Sequence, residues 1–112
     1  MKRSIKSLKL NLKHQITFFE NKTVNPVDLD NWQEKLKTFA EITPVSESNF
    51  SMLEGLNFGH MITEAYFIFR IRFIDNVNAK QKIVFKDRNF DIKRIININE
   101  QNRVLMVIAL EV

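Results

Sequence analysis

A period-two alternation of apolar with polar or basic residues in the second half of the chain most constrains what it can fold into. Between Tyr66 and Ile74, every second residue is a large apolar one. The residues on that side are Phe67, Phe69, Ile71 and Phe73. Because successive side chains of a strand point to opposite faces, this spacing predicts a β-strand.

Three further strands are predicted after it. Lys80–Lys86 repeats the alternation, and the polar residues Lys86–Asn89 predict a tight turn into a return strand from Phe90 to Ile98. A second polar turn at Asn99–Asn102 leads into the segment Val104–Val112. The second half therefore reads as a meander of four strands.

The last of these strands is apolar on both faces. One face carries Leu105, Val107 and Ala109, and the other carries Val104, Met106, Ile108 and Leu110. A strand of this kind lies between two layers of its own chain, or it offers one face to another subunit. The pattern leaves both explanations open and makes Leu105, Val107 and Ala109 candidates for a subunit interface.

Turns in this chain must be made largely without glycine, since the 112 residues include only two Gly and two Pro. Asparagine tolerates left-handed backbone angles and bonds the nearby backbone, so it is the expected substitute. The asparagines that separate the apolar stretches are Asn76, Asn78, Asn89, Asn99 and Asn102.

The first half is less regular. Leu8–Phe19 predicts one or two strands, and Asn21–Asn31 predicts a polar loop. Trp32–Ala40 has helical spacing of its apolar residues, with a strand over Lys37–Ile42 as the competing interpretation. Ser46–Leu53, followed by Gly55, predicts a short helix.

Length and composition bound the class of protein. A chain of 112 residues with 45% hydrophobic and 27% charged residues predicts one folded domain over 1–112, with residues 1–7 as a flexible basic arm. The sequence has no cysteine, which excludes disulfides and thiolate metal sites. Its longest apolar run, residues 104–110, is far below the roughly 18 residues that a membrane-spanning helix needs.

Signals of catalysis are weak. The two histidines, His14 and His60, have no partner at metal-ligand spacing, and Asp28 with Asp30 lacks the rest of a calcium loop. No glycine-rich phosphate loop or nucleophile motif is present. We therefore predict a protein that is not an enzyme, with no catalytic, metal-binding or cofactor-binding residues.

Basic residues suggest a second possibility. The chain has 17 Lys and Arg against 13 Asp and Glu, and six of the cations surround one predicted hairpin. These are Lys80, Lys82, Lys86, Arg88, Lys93 and Arg94. The nearby phenylalanines lie on the opposite face and belong to a core, so this hairpin is more typical of a solvated, lysine-guarded sheet edge than of a surface that stacks bases. A small nucleic-acid-binding β-barrel remains the alternative function.

The order of these segments resembles the small head-tail joining proteins, or head-tail adaptors and stoppers, of tailed bacteriophages and prophages. The resemblance runs from Leu12 to Val112. It is carried by Leu12–Phe18, Trp32, Thr38–Pro44, Ser46–Phe50, His60, Ile68–Phe73, Ile83–Phe85, Phe90–Ile92, Ile95–Glu100 and Asn102–Arg103. The chain departs from the family in two turns, where Asn21–Thr23 and Lys86–Arg88 stand in place of glycine-containing sequences.

This resemblance implies a mainly β fold, a small barrel or sandwich of about six strands with one short helix and long loops. It favours a strand through Thr38–Ile42 over the local helix. It also implies a structural virion protein that is assembled in the cytoplasm of a bacterial host. That protein forms a ring at the head-tail connector, contacts the portal or adaptor and the tail proteins, and helps to retain or pass double-stranded DNA. Asn21–Asn31 and Leu53–Thr63 would be its long loops, and Lys80, Lys82, Lys86 and Arg88 its contacts with DNA phosphates.

Overall fold

The computed structural model describes residues 10–22, 31–45 and 65–112. These residues form six antiparallel strands that close into a barrel, in the order β1-β2-β3-β6-β5-β4. The strands are β1 (His14–Asn21), β2 (Trp32–Pro44), β3 (Tyr66–Arg72), β4 (Lys82–Phe85), β5 (Arg88–Asn97) and β6 (Val104–Glu111). The predicted six-stranded, mainly β fold is confirmed.

Two three-stranded meanders build the barrel. β1, β2 and β3 pair in sequence order, as do β4, β5 and β6. The barrel closes where β3 pairs with β6 and where β1 pairs with β4. The prediction of one four-stranded meander was wrong at its first step, because β3 and β4 are not neighbours. Alternation identifies a strand and its two faces but does not say which strand lies beside it.

The segment from Trp32 to Ala40 is a strand, and the local prediction of a helix was wrong. β2 has 13 residues, and its first half pairs with β1 in the register Ala40 with His14 through Trp32 with Asn21. One extra β2 residue, at Lys35, forms a bulge opposite Phe18 and Phe19. The bulge interrupts strict alternation, which is how a strand came to show helix-like spacing.

The barrel interior is filled by the predicted apolar faces. Its large, fully buried side chains include Phe18, Phe69 and Phe90, and the ring centroids of the last two are 5.0 Å apart in an edge-to-face contact. The buried residues of this core are Ile16, Phe18, Ala40, Phe69, Ile71, Ile83, Phe90, Ile92, Leu105, Val107 and Ala109. A second, smaller cluster on the outer face of β3 and β6 contains Val45, Tyr66, Ile68 and Ile108.

The two open ends of the barrel are covered differently. At the lower mouth, where β1 and β3 end, Phe73, Ile74 and Val77 of the β3–β4 connection pack against the core. At the upper mouth, where β4 and β6 end, the side chain of Arg88 lies over the rings of Phe67 and Phe90.

Polar residues make the tight turns, as predicted, although Asn89 lies in β5 and not in the turn before it. Lys86 and Asp87, between β4 and β5, both have positive φ, as the two central residues of a type I′ hairpin turn require. Asn76, Asn99 and Asn102 also have positive φ.

Helical structure in the described parts of the chain is limited to one 3-10 turn, Ile98–Glu100. No helix in those parts is long or apolar enough to cross a membrane. The predicted helix at Ser46–Leu53, the loop Leu53–Thr63 and the basic arm of residues 1–7 lie outside the described residues. So do residues 23–30 of the predicted loop Asn21–Asn31, whose first residue, Asn21, ends β1.

Candidate functional site

Three of the four predicted DNA contacts follow β4 from one mouth of the barrel to the other. Lys80 is exposed just before the strand, Lys82 points outward from its first position, and Lys86 is exposed in the turn that ends it. At about 3.3 Å per residue, Lys82 and Lys86 stand roughly 13 Å apart along the barrel. The structure therefore places these cations in a strip along one strand, which we call the β4 lysine strip (Lys80, Lys82 and Lys86).

Arg88, the fourth predicted DNA contact, is not part of this strip, because its side chain is bound to Glu111. Its Nε and Nη2 groups donate hydrogen bonds of 2.9 Å each to the two carboxylate oxygens of Glu111. The side-chain hydrogen bond from Arg88 lowers the pKa of Glu111, and the same bond raises the pKa of Arg88. Arg88 therefore covers the upper mouth of the barrel, and its charge is already balanced.

Lys82 lies over two aromatic rings on the outer surface. Its ammonium is 4.7 Å from the centroid of Trp32 and 6.0 Å from that of Phe19. Lys82 pairs with Phe19 across β1 and β4, and Trp32 begins the neighbouring strand β2. This arrangement is a cation–π contact that fixes the Lys82 stem while its charge stays near solvent. The sequence prediction missed it because the β1–β4 pairing joins segments that are far apart in the chain.

An open cleft of about 400 Å³ lies next to this contact. It is lined by Glu20, Asn21, Trp32, Asn78 and Lys80. Glu20 forms ion pairs with Lys22 at 2.9 Å and with Lys35 at 3.6 Å, and the hydrogen bond from Lys22 is the main cause of its lowered pKa. The carboxylate is therefore already neutralised, so the charge that the cleft offers to an outside group is that of Lys80.

The two remaining cations of the predicted cluster, Lys93 and Arg94, lie on β5. Both are exposed, and neither forms an ion pair with any described residue. Lys93 is an extra residue in the β5–β6 pairing, where a bulge shifts the register between Ile92 and Arg94. They lie on the neighbouring strand, past the β5 partner of Lys82, which is Asp91, and so they are not part of the β4 lysine strip itself.

The candidate interface residues Leu105, Val107 and Ala109 lie inside the barrel. They are 4%, 0% and 0% exposed, covered by the other core residues of the same chain. In this fold they offer no surface to a neighbouring subunit. Of the two explanations for the doubly apolar strand, burial within the chain accounts for the inner face of β6 and for Val104 and Ile108 on the outer face, whereas Met106 and Leu110 of that face are half-buried.

Neither of the weak catalytic signals gains support in the described residues. His14 makes an edge-on contact with Phe85 at 5.3 Å between ring centroids. No group of three His, Cys, Asp or Glu residues within 10–22, 31–45 and 65–112 is arranged to hold a metal ion. His60, Asp28 and Asp30 lie outside these ranges.

Comparison with known families decides what kind of protein this barrel is. Residues 10–112 match the model of a family described as phage head completion protein. The chain belongs to the phage head completion protein family. As a member of this family, the protein is a structural phage protein and a virion component.

Two solved structures share the fold of this chain. One is a chain from the virion of a native gene transfer agent particle, with a TM-score of 0.62 and 21% identity, covering 93% of this chain and 98% of that one. The other is protein SF1141 from Shigella flexneri 2a, with a TM-score of 0.66 and 16% identity, covering 89% and 92%. At sequence identities this low, the similarity to these two structures shows the fold alone. A comparison with curated proteins finds no match.

Proposed function

We propose that this protein forms a ring at the head-tail connector, where it joins the portal or adaptor protein to the tail and helps to retain or pass DNA. The observation that carries the proposal is the family match over residues 10–112. In this role, the protein would surround the opening through which DNA passes. Repeated copies related by a closed rotation are the economical way to surround a channel.

The β4 lysine strip supports a role in contacting DNA in that channel. Lys80, Lys82 and Lys86 are spaced along one strand and carry no acidic partner among the described residues. Contacts of this kind neutralise phosphates without reading bases, so they allow DNA to slide. Arg88 is not part of this surface, because Glu111 holds its side chain over the upper mouth.

Electron microscopy of DNA-packed heads that lack this protein tests the assembly role. After addition of the purified protein, we expect a new ring below the portal and heads that accept tails. Heads that bind no added protein, or that carry a single copy, would contradict the proposal.

A charge-reversed variant tests the role of the β4 lysine strip. Lys82→Glu with Lys86→Glu should leave ring assembly intact and lower the fraction of heads that keep their DNA. The control is Arg72→Glu with Arg103→Glu, which makes the same change of charge at two exposed residues of the lower mouth. Equal loss of ring assembly and DNA retention in the β4 variant would contradict the proposal that the β4 lysine strip faces the channel.

The nucleic-acid-binding alternative draws on the same surface, since Lys82 combines a cation with Trp32 and Phe19. It predicts tight, salt-dependent binding of single-stranded nucleic acid by the isolated monomer. Binding of that kind, together with failure to complete heads, would favour the alternative.

A further inference from the structure

Among the described residues, half of β2 has no pairing partner along one of its edges. β3 pairs with β2 only from Ala40 to Pro44, and it ends at Arg72. From Trp32 to Phe39, β2 pairs with β1 on one side, and no residue in the described ranges pairs with its other side. This open edge is eight residues long, which is enough for a full additional strand.

Half of β5 likewise lacks a second pairing partner within residues 10–22, 31–45 and 65–112. β4 is only four residues long and pairs with β5 from Arg88 to Asp91. From Lys93 to Asn97, β5 pairs with β6 on one side, and among the described residues nothing pairs with its other side. Unpaired backbone groups on a strand edge are a template for pairing with another chain.

These two open edges lie on opposite sides of the barrel. In the closed order β1-β2-β3-β6-β5-β4, β2 and β5 are three strand positions apart. β1 and β4 fill one side between them, and β3 and β6 fill the other. A closed ring of identical subunits needs two different contact surfaces on opposite sides of each subunit, and this pair of edges meets that requirement.

We propose that the open edge of β2 in one subunit pairs with the open edge of β5 in the next subunit, so that a second copy of this chain occupies each edge. This inference rests on the proposed ring. Phe39, on the outer face at one end of the β2 edge, is 49% exposed and would be covered by the incoming strand. Glu34 of β2 is available to the exposed cations Lys93 and Arg94 of β5, since its ion pair with Lys37 is long, at 3.8 Å.

The pairing also sets which face of the subunit looks toward the ring axis. With β2 and β5 on the lateral sides, one of the two remaining sides faces the channel and the other faces outward. The β1/β4 side carries the β4 lysine strip, and the β3/β6 side carries the cluster of Tyr66, Ile68 and Ile108. Phosphates in the channel select the β1/β4 side as the inner one.

Cysteine cross-linking tests the edges directly, because the chain contains no cysteine of its own. The test variant carries Lys37→Cys on β2 and Lys93→Cys on β5, two exposed positions. The matched control carries Lys86→Cys and Gln101→Cys, exposed positions at the upper and lower mouths. Each protein is treated with a short bis-maleimide after electron microscopy has established that rings are present.

The test variant should give a ladder of covalent oligomers that extends beyond the dimer, at least tenfold more abundant than in the control. Each single-cysteine variant should stay monomeric, because the two edges of one contact differ. Dimers from Lys37→Cys alone would show that β2 pairs with β2 and would overturn the inference. Rings without a ladder would also overturn it and leave the ring function standing, whereas the absence of rings on completed heads would overturn the proposed function and the inference together.

Discussion

The two mouths of the barrel face the same physical problem, since each end of a closed sheet exposes core side chains to water. The lower mouth is covered by a connection that packs Phe73, Ile74 and Val77 on the core. Its backbone is fixed by Gln81, which is 4% exposed, donates to the carbonyl of Asn76 at 2.8 Å and accepts from the N–H of Asn78 at 3.2 Å. The upper mouth is covered by the ion pair of Arg88 and Glu111, and Arg88 lies over Phe67 and Phe90.

The two mouths differ in how well the contacts that cover them exclude water. Gln81 is buried, so its hydrogen bonds are neutral and protected, and their loss leaves backbone groups without partners. Arg88 and Glu111 are 41% and 33% exposed in their side chains, so solvent and salt screen their attraction. We therefore expect the lower mouth to contribute more stability, independent of pH, and the upper mouth to contribute less, dependent on pH and salt.

The largest effect should come from Gln81→Ala. Removing the amide leaves the Asn76 carbonyl and the Asn78 N–H unpaired, which costs roughly 1–3 kcal/mol of unfolding free energy. Urea unfolding at two pH values should show the same loss at both. Gln101→Ala, an exposed glutamine on the turn before β6, is the control and should change little. A loss in Gln81→Ala no larger than in that control would refute the assigned difference between the mouths.

A smaller, pH-dependent effect is expected from Glu111→Gln. The folded-state pKa of Glu111 is lowered below its ordinary value of 4.5, so its charged form stabilises the fold above that value. This contribution is lost as the pH falls through the lowered pKa. The variant should unfold at lower urea concentration than the natural protein at pH 7, and the gap should narrow with acid and with added salt.

The control for this experiment is Glu100→Gln, which removes an exposed carboxylate with no ion-pair partner among the described residues. It should leave the urea midpoint almost unchanged at pH 7. If the gap between Glu111→Gln and the natural protein were the same at pH 7 and in acid, the ion pair would not be what stabilises the upper mouth.

The smallest effect should be a gain, from Lys86→Asn in the hairpin at the upper mouth. Lys86 has a φ of 49°, and asparagine tolerates this region better than lysine. A left-handed backbone conformation costs free energy in residues other than glycine, and asparagine should relieve part of this cost. The free energy of unfolding should therefore rise by about 0.5 kcal/mol. Lys80→Asn makes the same replacement where φ is not positive and should give no such gain. Equal changes in the two variants would mean that the backbone angle is not the cause.

Much of the barrel could be predicted because alternation depends only on strand geometry. The inner faces of β3 and β4, and the turns at Lys86–Asp87 and Asn99, follow from local residue types. The start of β2 could not be predicted locally, because the bulge at Lys35 shifts the apolar residues out of strict alternation. The resemblance to head-tail joining proteins supplied the strand there, although with a shorter range than the observed Trp32–Pro44.

The candidate site was predicted only in part. Exposed lysines along β4 follow from the same alternation, whereas the partner of Arg88 does not, since Glu111 lies 23 residues further along the chain. Leu105, Val107 and Ala109 were candidates for a subunit interface, but they are buried in the core of their own chain. Their apolar character predicts burial, but it does not say whether the same chain or a neighbouring subunit covers them.

By itself, the sequence determined most of the strands, the faces that must be buried, the turns made without glycine and the resemblance to a family. The tertiary structure alone decided that Leu105, Val107 and Ala109 of β6 are covered by their own chain, that β3 pairs with β6, and that parts of β2 and β5 have no second pairing partner among the described residues. The physical reason is that side-chain pattern and backbone preference are local properties. The pairing partners of a strand depend instead on how segments distant in the chain share the hydrogen bonds of one closed sheet.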